Sequence, residues 1–325
     1  MAEWLYEEGI GENRAILVEE GEILAAAIEL EGEMRCGSVV AGRLVRIAIP
    51  GRRGIVSTDR GEVMVEPLPA SLTEGRKLRV EIVREPIAEP GNPKFAKGRI
   101  TEAEEREGPR LAERIGSPAP LRPLGPDLFE EAGWSELIDE ALGEPIAFAG
   151  GELRMSLTPA MTLFDVDGFL PPIDLALAAA EAAALAIRRL DIGGSIGIDL
   201  PTVPLREDRL RIVAALDAVL PRPFERTAVN GFGFLQIVRR RERRSLPELV
   251  QWDEVGAAAR GLLRRAERDP GIGERELVAS PAVIARLRAN PEWTDILARR
   301  IGAPAGLREE PQFSTWRNHV HARSS

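Results

Sequence analysis

The 325 residues include one cysteine, Cys36, and two histidines, His319 and His321. A single cysteine leaves no internal disulfide, which fits a reducing cytoplasm. The histidines have no cysteine partners at ligand spacing, so no zinc site is expected. Both lie in the tail, which also removes a Ser–His–Asp or Cys–His nucleophilic set. No apolar run reaches about 18 residues, so no membrane span is expected. The opening MAEWLYEE lacks a basic stretch, so no secretory signal is expected. Aromatic residues are only 5% of the chain, and three of its 43 basic residues are lysine. The formal charge of −9 opposes non-specific binding to nucleic acid. Any RNA contact therefore has to come from a local basic patch.

The length suffices for two or three parts with cores of their own. The most informative stretch is 157–201. Two short apolar runs, MTLFDVDG at 161–168 and SIGIDLP at 195–201, each end in acid. Between them an Ala-rich segment, 173–190, reads as a buried helix closed by Gly193 and Gly194 in a left-handed cap. Strand, helix and strand in so short a space predict two parallel strands. Asp165, Asp167 and Asp199 then reach one edge of a sheet, where open α/β sheets present ligand sites. Unpaired carboxylates about 4 Å apart repel by ~4 kcal/mol at an effective dielectric near 20. Either one is protonated or a cation lies between them. Oxygen-only ligands suit magnesium or manganese better than zinc. The alternative is that each Asp simply caps a helix or ends a strand.

Three blocks in this stretch, PAMTLFDVD (159–167), IRRLDIGG (187–194) and IGIDL (196–200), resemble the catalytic core of the ribonuclease E/G family of bacterial endoribonucleases. NGFGFLQIVRRRERR (230–244) is similar to the family's next conserved block. The resemblance implies that Asp165 and Asp199 bind the magnesium that activates hydrolysis. The family's Asn two residues after the first acid is Asp167 here, which adds negative charge. It also implies that Asp167 helps to hold the ion or orient the water, and that Arg239, Arg240 and Arg241 neutralise RNA phosphates. Gly231 and Gly233 would let backbone approach a phosphate.

The rest of the chain supports a multidomain α/β and α+β organisation. Residues 1–35 hold a hairpin turning at Glu20-Gly21, which the resemblance places in an RNase H-like part. Residues 36–88 carry short strand-like runs that fit a small OB-type barrel. GxxxxGR at 37–43 resembles the start of the family's RNA-binding barrel and makes Arg43 a candidate RNA contact. That barrel has no aromatic side chain for base stacking. Residues 89–127 read as a linker, with one short exposed helix over 101–114. The family's segment that senses the RNA 5′ monophosphate is missing. Residues 128–245 form the α/β catalytic core (DNase I-like by resemblance), opening on an amphipathic helix over 128–142. Residues 246–325 contribute an Arg-rich helix and a small C-terminal α/β unit. The family's paired-cysteine zinc link has no counterpart, which leaves a monomer and a zinc-free homodimer both open. The reading is a metal-dependent endonuclease acting on single-stranded RNA. Its rival is an RNA-binding or assembly protein of the same descent that has stopped cutting.

Overall fold

The computed structural model describes residues 1–271 and 273–323. It opens with a three-stranded antiparallel sheet, β1 (Glu3–Glu8), β2 (Glu12–Glu19) and β3 (Glu22–Leu30). Glu20 (φ 53°) and Gly21 (φ 84°) form the expected two-residue turn, whose positive φ values match the twist of the flanking strands.

A closed barrel follows: β4 (Val39–Ile49), β5 (Arg53–Thr58), β6 (Gly61–Val65), β7 (Lys77–Arg84) and β8 (Ala96–Thr101), in the order β4-β5-β6-β8-β7. Five strands closed in this way are consistent with the OB-type barrel expected. The closing strand β8, however, comes from 89–127, which the sequence reads as linker. Its alternation is real but disguised. Lys97 and Arg99 point outward, while the inward positions are Ala96 and Gly98. A Cβ on Gly98 would lie 2.1 Å from Val80 Cγ1, so only glycine fits against the core of Leu44, Val56, Val63 and Val80. The helix expected over 101–114 shrinks to α1 (Leu111–Arg114), with Leu111 buried. The single helix expected over 128–142 is broken into α2 (Leu128–Glu131) and α3 (Trp134–Leu142), because Gly133 between them adopts φ 93°.

The central unit is a six-stranded sheet with helices on one face. It comprises β9 (Ile146–Phe148), β10 (Gly151–Leu157), β11 (Thr162–Gly168), α4 (Pro172–Arg189), β12 (Gly194–Asp199), α5 (Arg206–Val219), β13 (Phe224–Arg226) and β14 (Phe234–Arg239). The order is β13-β14-β12-β11-β10-β9; only β11 and β12 are parallel. Along α4, Ala176, Ala179, Ala180, Ala183, Ala184 and Ala186 are fully buried. Their small side chains let the helix lie close to the sheet, where it buries Phe164, Ile196 and Ile198. The helix does not end on the glycine pair. The left-handed residue is Asp191 (φ 52°), and Ile192 N–H donates to Ile187 O at 2.9 Å. Aspartate tolerates this conformation, and Arg243 holds its carboxylate at 2.7 Å. Gly194 (φ 88°) instead starts β12.

The C-terminal part contains α6 (Leu246–Trp252), α7 (Glu254–Arg268), β15 (Glu274–Ala279), α8 (Pro281–Ala289), α9 (Pro291–Ile301), β16 (Ala305–Glu309) and β17 (His319–Arg323). Its sheet has the order β16-β15-β17. Helix α7 clasps the opening sheet through buried ions: Arg264 to Glu7 at 3.0 Å and Arg260 to Glu12 at 2.7 Å. Arg14 approaches Glu7 at 3.0 Å from within the sheet. Among the described residues, no helix is long and apolar enough to cross a membrane.

Candidate functional site

Asp165 and Asp199 are register partners on β11 and β12. Neighbouring strands lie about 4.8 Å apart, and residues in register share a face. The period of two puts Phe164 and Ile198 against α4 and turns both aspartates to the open face, where they are exposed. Asp167, two residues on, shares that face. So do Arg154 and Glu152 of β10, opposite Asp165 and Asp167 respectively. Arg154 Nε lies 3.2 Å from Asp167 Oδ2, and its guanidinium donates to Glu152 Oε1 at 2.8 and 3.0 Å. The hydrogen bond to Glu152 first, then the charges of Glu152, Asp167 and Asp165, hold the Arg154 guanidinium above its ordinary range.

The three acids do not converge as the sequence suggests. Among the described residues, no group of three or more His, Cys, Asp or Glu side chains is arranged to hold a metal ion. The difference lies in Asp167, whose carboxylate is drawn to Arg154. What remains is a two-carboxylate pair, Asp165 and Asp199. Two carboxylates, with water and substrate phosphate filling the other positions, fit the way magnesium is usually bound.

The basic run is not beside the acids. Asp199 pairs with Phe234, and Gly194 with Arg239, so the arginines sit five strand residues away, about 16 Å, at the opposite end of the sheet. Arg239 faces the helices and donates to Ile187 O and Ile192 O at 3.3 and 2.7 Å, closing the end of α4. Its burial pulls it below its ordinary value. Arg241 is paired with Glu248, which also caps α6 through Ser245 N–H. Arg240 alone of the three is exposed; it pairs with Glu242 at 3.0 Å. Arg43 lies on the barrel, donates to Gly75 O at 2.9 Å, and lines an open cleft of about 740 Å³ with Arg76, Lys77 and Arg79. No aromatic side chain lines that cleft. Gly233 (φ 94°) serves the chain's own packing, since a Cβ there would meet Leu200 O at 2.1 Å.

Three side chains at this edge went unread in the sequence. Arg154 gave no signal, because its role appears only once β10 is aligned with β11. Phe169 and Phe232 are each 85% exposed and lie just past the ends of β11 and just before β14. Their settings, DGFLPP and NGFGF, put an aromatic in a glycine-flanked turn, a pattern that could have marked them.

Neither a protein-family model nor a curated protein matches the chain.

Proposed function

We propose that this protein is a metal-dependent endoribonuclease of the ribonuclease E/G type, hydrolysing phosphodiester bonds of single-stranded RNA. One observation carries the reading: two aspartates in register on the only parallel strand pair of the central sheet, on its helix-free face. In this reading Asp165 and Asp199 hold one Mg²⁺ or Mn²⁺. Such an ion supplies charge stabilisation at the scissile phosphate and a water of lowered pKa. Asp167 stays with Arg154 and keeps that guanidinium beside the site. Arg240 meets a phosphate further along the strand, and Arg43 meets one on the OB-type barrel. The half-buried, unpaired Cys36 fits a cytoplasmic protein.

The test is cleavage of labelled, unstructured RNA with magnesium by the parent, Asp165→Asn and Asp199→Asn. Each substitution is expected to lower the rate by more than about 100-fold, since even outer-shell partners of a metal contribute 10–100-fold. Undiminished cleavage by either variant sinks the proposal. A second reading, an RNA-binding or assembly protein that no longer cuts, draws support from the aromatic-free barrel cleft and from the Arg154 guanidinium lying among the acids. It expects the parent to bind RNA and leave it intact.

A further inference from the structure

Among the described residues, Phe169 and Phe232 stand out from the nine other large exposed apolar side chains because both rings are held up on fixed backbone. Phe169 follows β11 by one residue, four residues after Asp165. Its N–H donates to Gly150 O at 3.2 Å, and Leu170 packs onto Gly150 beside it. Phe232 lies two residues before Phe234, the register partner of Asp199. Asn230 Oδ1 accepts from the N–H groups of Phe232 and Phe234 at 2.9 and 3.0 Å. Thr202 Oγ1 donates to Phe232 O at 3.1 Å, and Gly233 is pressed against Leu200. Each backbone is thus fixed while its ring is 85% exposed. A Phe left in water forfeits roughly 2–3 kcal/mol of burial, so nothing in the fold accounts for these rings.

We propose that Phe169 and Phe232 are stacking platforms for unpaired nucleobases that follow the phosphate at Asp165 and Asp199, past the C-terminal ends of β11 and β12. This deepens, and rests on, the nucleic-acid reading above. Phe169 lies on the line of β11 and Phe232 on the line of β14, two strand spacings or about 10 Å apart across the sheet. The line of β12, which ends at Asp199, runs between them, so the rings form two separate ring-sized platforms and not one continuous apolar patch of the kind a protein partner needs. Aromatic rings stack on any base without regard to sequence. Bases in a duplex already stack on each other and present no free face, so the platforms select single strands. They also supply at the acidic edge what the barrel cleft lacks. Because the backbones are already fixed, little ordering is needed on binding.

The experiment is fluorescence anisotropy with a labelled 2′-O-methyl oligoadenylate dodecamer in magnesium, checked on a gel for integrity. Phe169→Ala and Phe232→Ala are each expected to bind roughly 5- to 100-fold more weakly than the parent. Phe→Trp at either position should keep parent affinity, and Phe→Leu should not. Leu205→Ala, at the same edge with Leu205 62% exposed, should change affinity less than twofold. The matching duplex should bind more weakly than the single strand and be insensitive to both Phe→Ala changes. Alanine variants within twofold of the parent, leucine variants as good as tryptophan, an equal loss on duplex, or no binding by the parent would each overturn the proposal. The two claims separate cleanly. Cleavage that depends on Asp165 and Asp199 but not on the phenylalanines removes only the stacking. Phe-dependent binding without any cleavage removes only the hydrolysis.

Discussion

Arg154 sets the charge of the acidic face, and its removal gives a direct measure of that face as an ion site. The guanidinium touches Asp167 and Glu152 and projects from the residue opposite Asp165. Diagonal neighbours across a strand pair are 7–8 Å apart, so an ion between Asp165 and Asp199 sits about 8 Å from it. A unit charge at that distance from a divalent ion in a water-like medium changes the binding constant roughly fourfold at ~10 mM salt and about twofold at ~0.15 M. Arg154→Gln is therefore expected to tighten Mn²⁺ binding about fourfold at low salt. Asp167→Asn should weaken it by a similar factor, and the double variant should return near the parent. The assay is titration of Mn²⁺ followed by electron paramagnetic resonance, which reads the ion without any turnover. Unchanged affinity in Arg154→Gln at low salt, or the same change at high and low salt, would refute the electrostatic argument. Failure of the parent to bind Mn²⁺ at millimolar concentration would remove the ion site itself.

Two further outcomes test the scaffold. Glu7 is buried among Arg14, Arg264 and Arg268, so Glu7→Gln should destabilise the fold by about 3–5 kcal/mol in urea titration, as breaking a buried ion pair does. Burial alone would raise the Glu7 carboxyl, but the three arginines together hold it below its ordinary value of 4.5. Its contribution is therefore present above that value and disappears as pH falls through the lower folded-state value. Parent and variant stabilities should converge in acid; a gap that stays constant from pH 7 to 3 speaks against this account. Gly233→Ala combines a positive φ with a Cβ 2.1 Å from Leu200 O, and should lower stability by ~2 kcal/mol or more and weaken Mn²⁺ binding beside Asp199. Gly231→Ala, which meets open space, is the neutral control.

The parts legible in the sequence were those where pattern and period agree. The parallel β11 and β12, the buried Ala-rich α4 and the Glu20-Gly21 hairpin all follow from apolar spacing and turn residues. Two of the misreadings trace to residues with little or no side chain, which carry no hydrophobic pattern. Gly98 and Ala96 close the barrel but look like linker, and Gly133 splits a helix whose apolar spacing runs straight through it. The arginine run was legible as charge but not as placement. Alternation along β14 sends Arg239 to the helix end and leaves Arg240 outside, a division that appears only when the strand's buried face is known.

That division changes what the central sheet can do. If all three arginines lay beside the acids, attraction for phosphate and repulsion from carboxylate would act at one point and largely cancel in the absence of an ion. Instead Asp165 and Asp199, with Arg154 beside them, hold one end of the sheet, and the exposed Arg240, paired with Glu242, follows β14 about 16 Å away at the other. In the proposed function, a polyanion lying along this face would meet Arg240 regardless of metal and would reach the acidic end only when a cation offsets the carboxylates. Binding and ion capture are then separable along one strand. Raising salt should weaken the first, as phosphate contacts are lost, while chelation should release only the second.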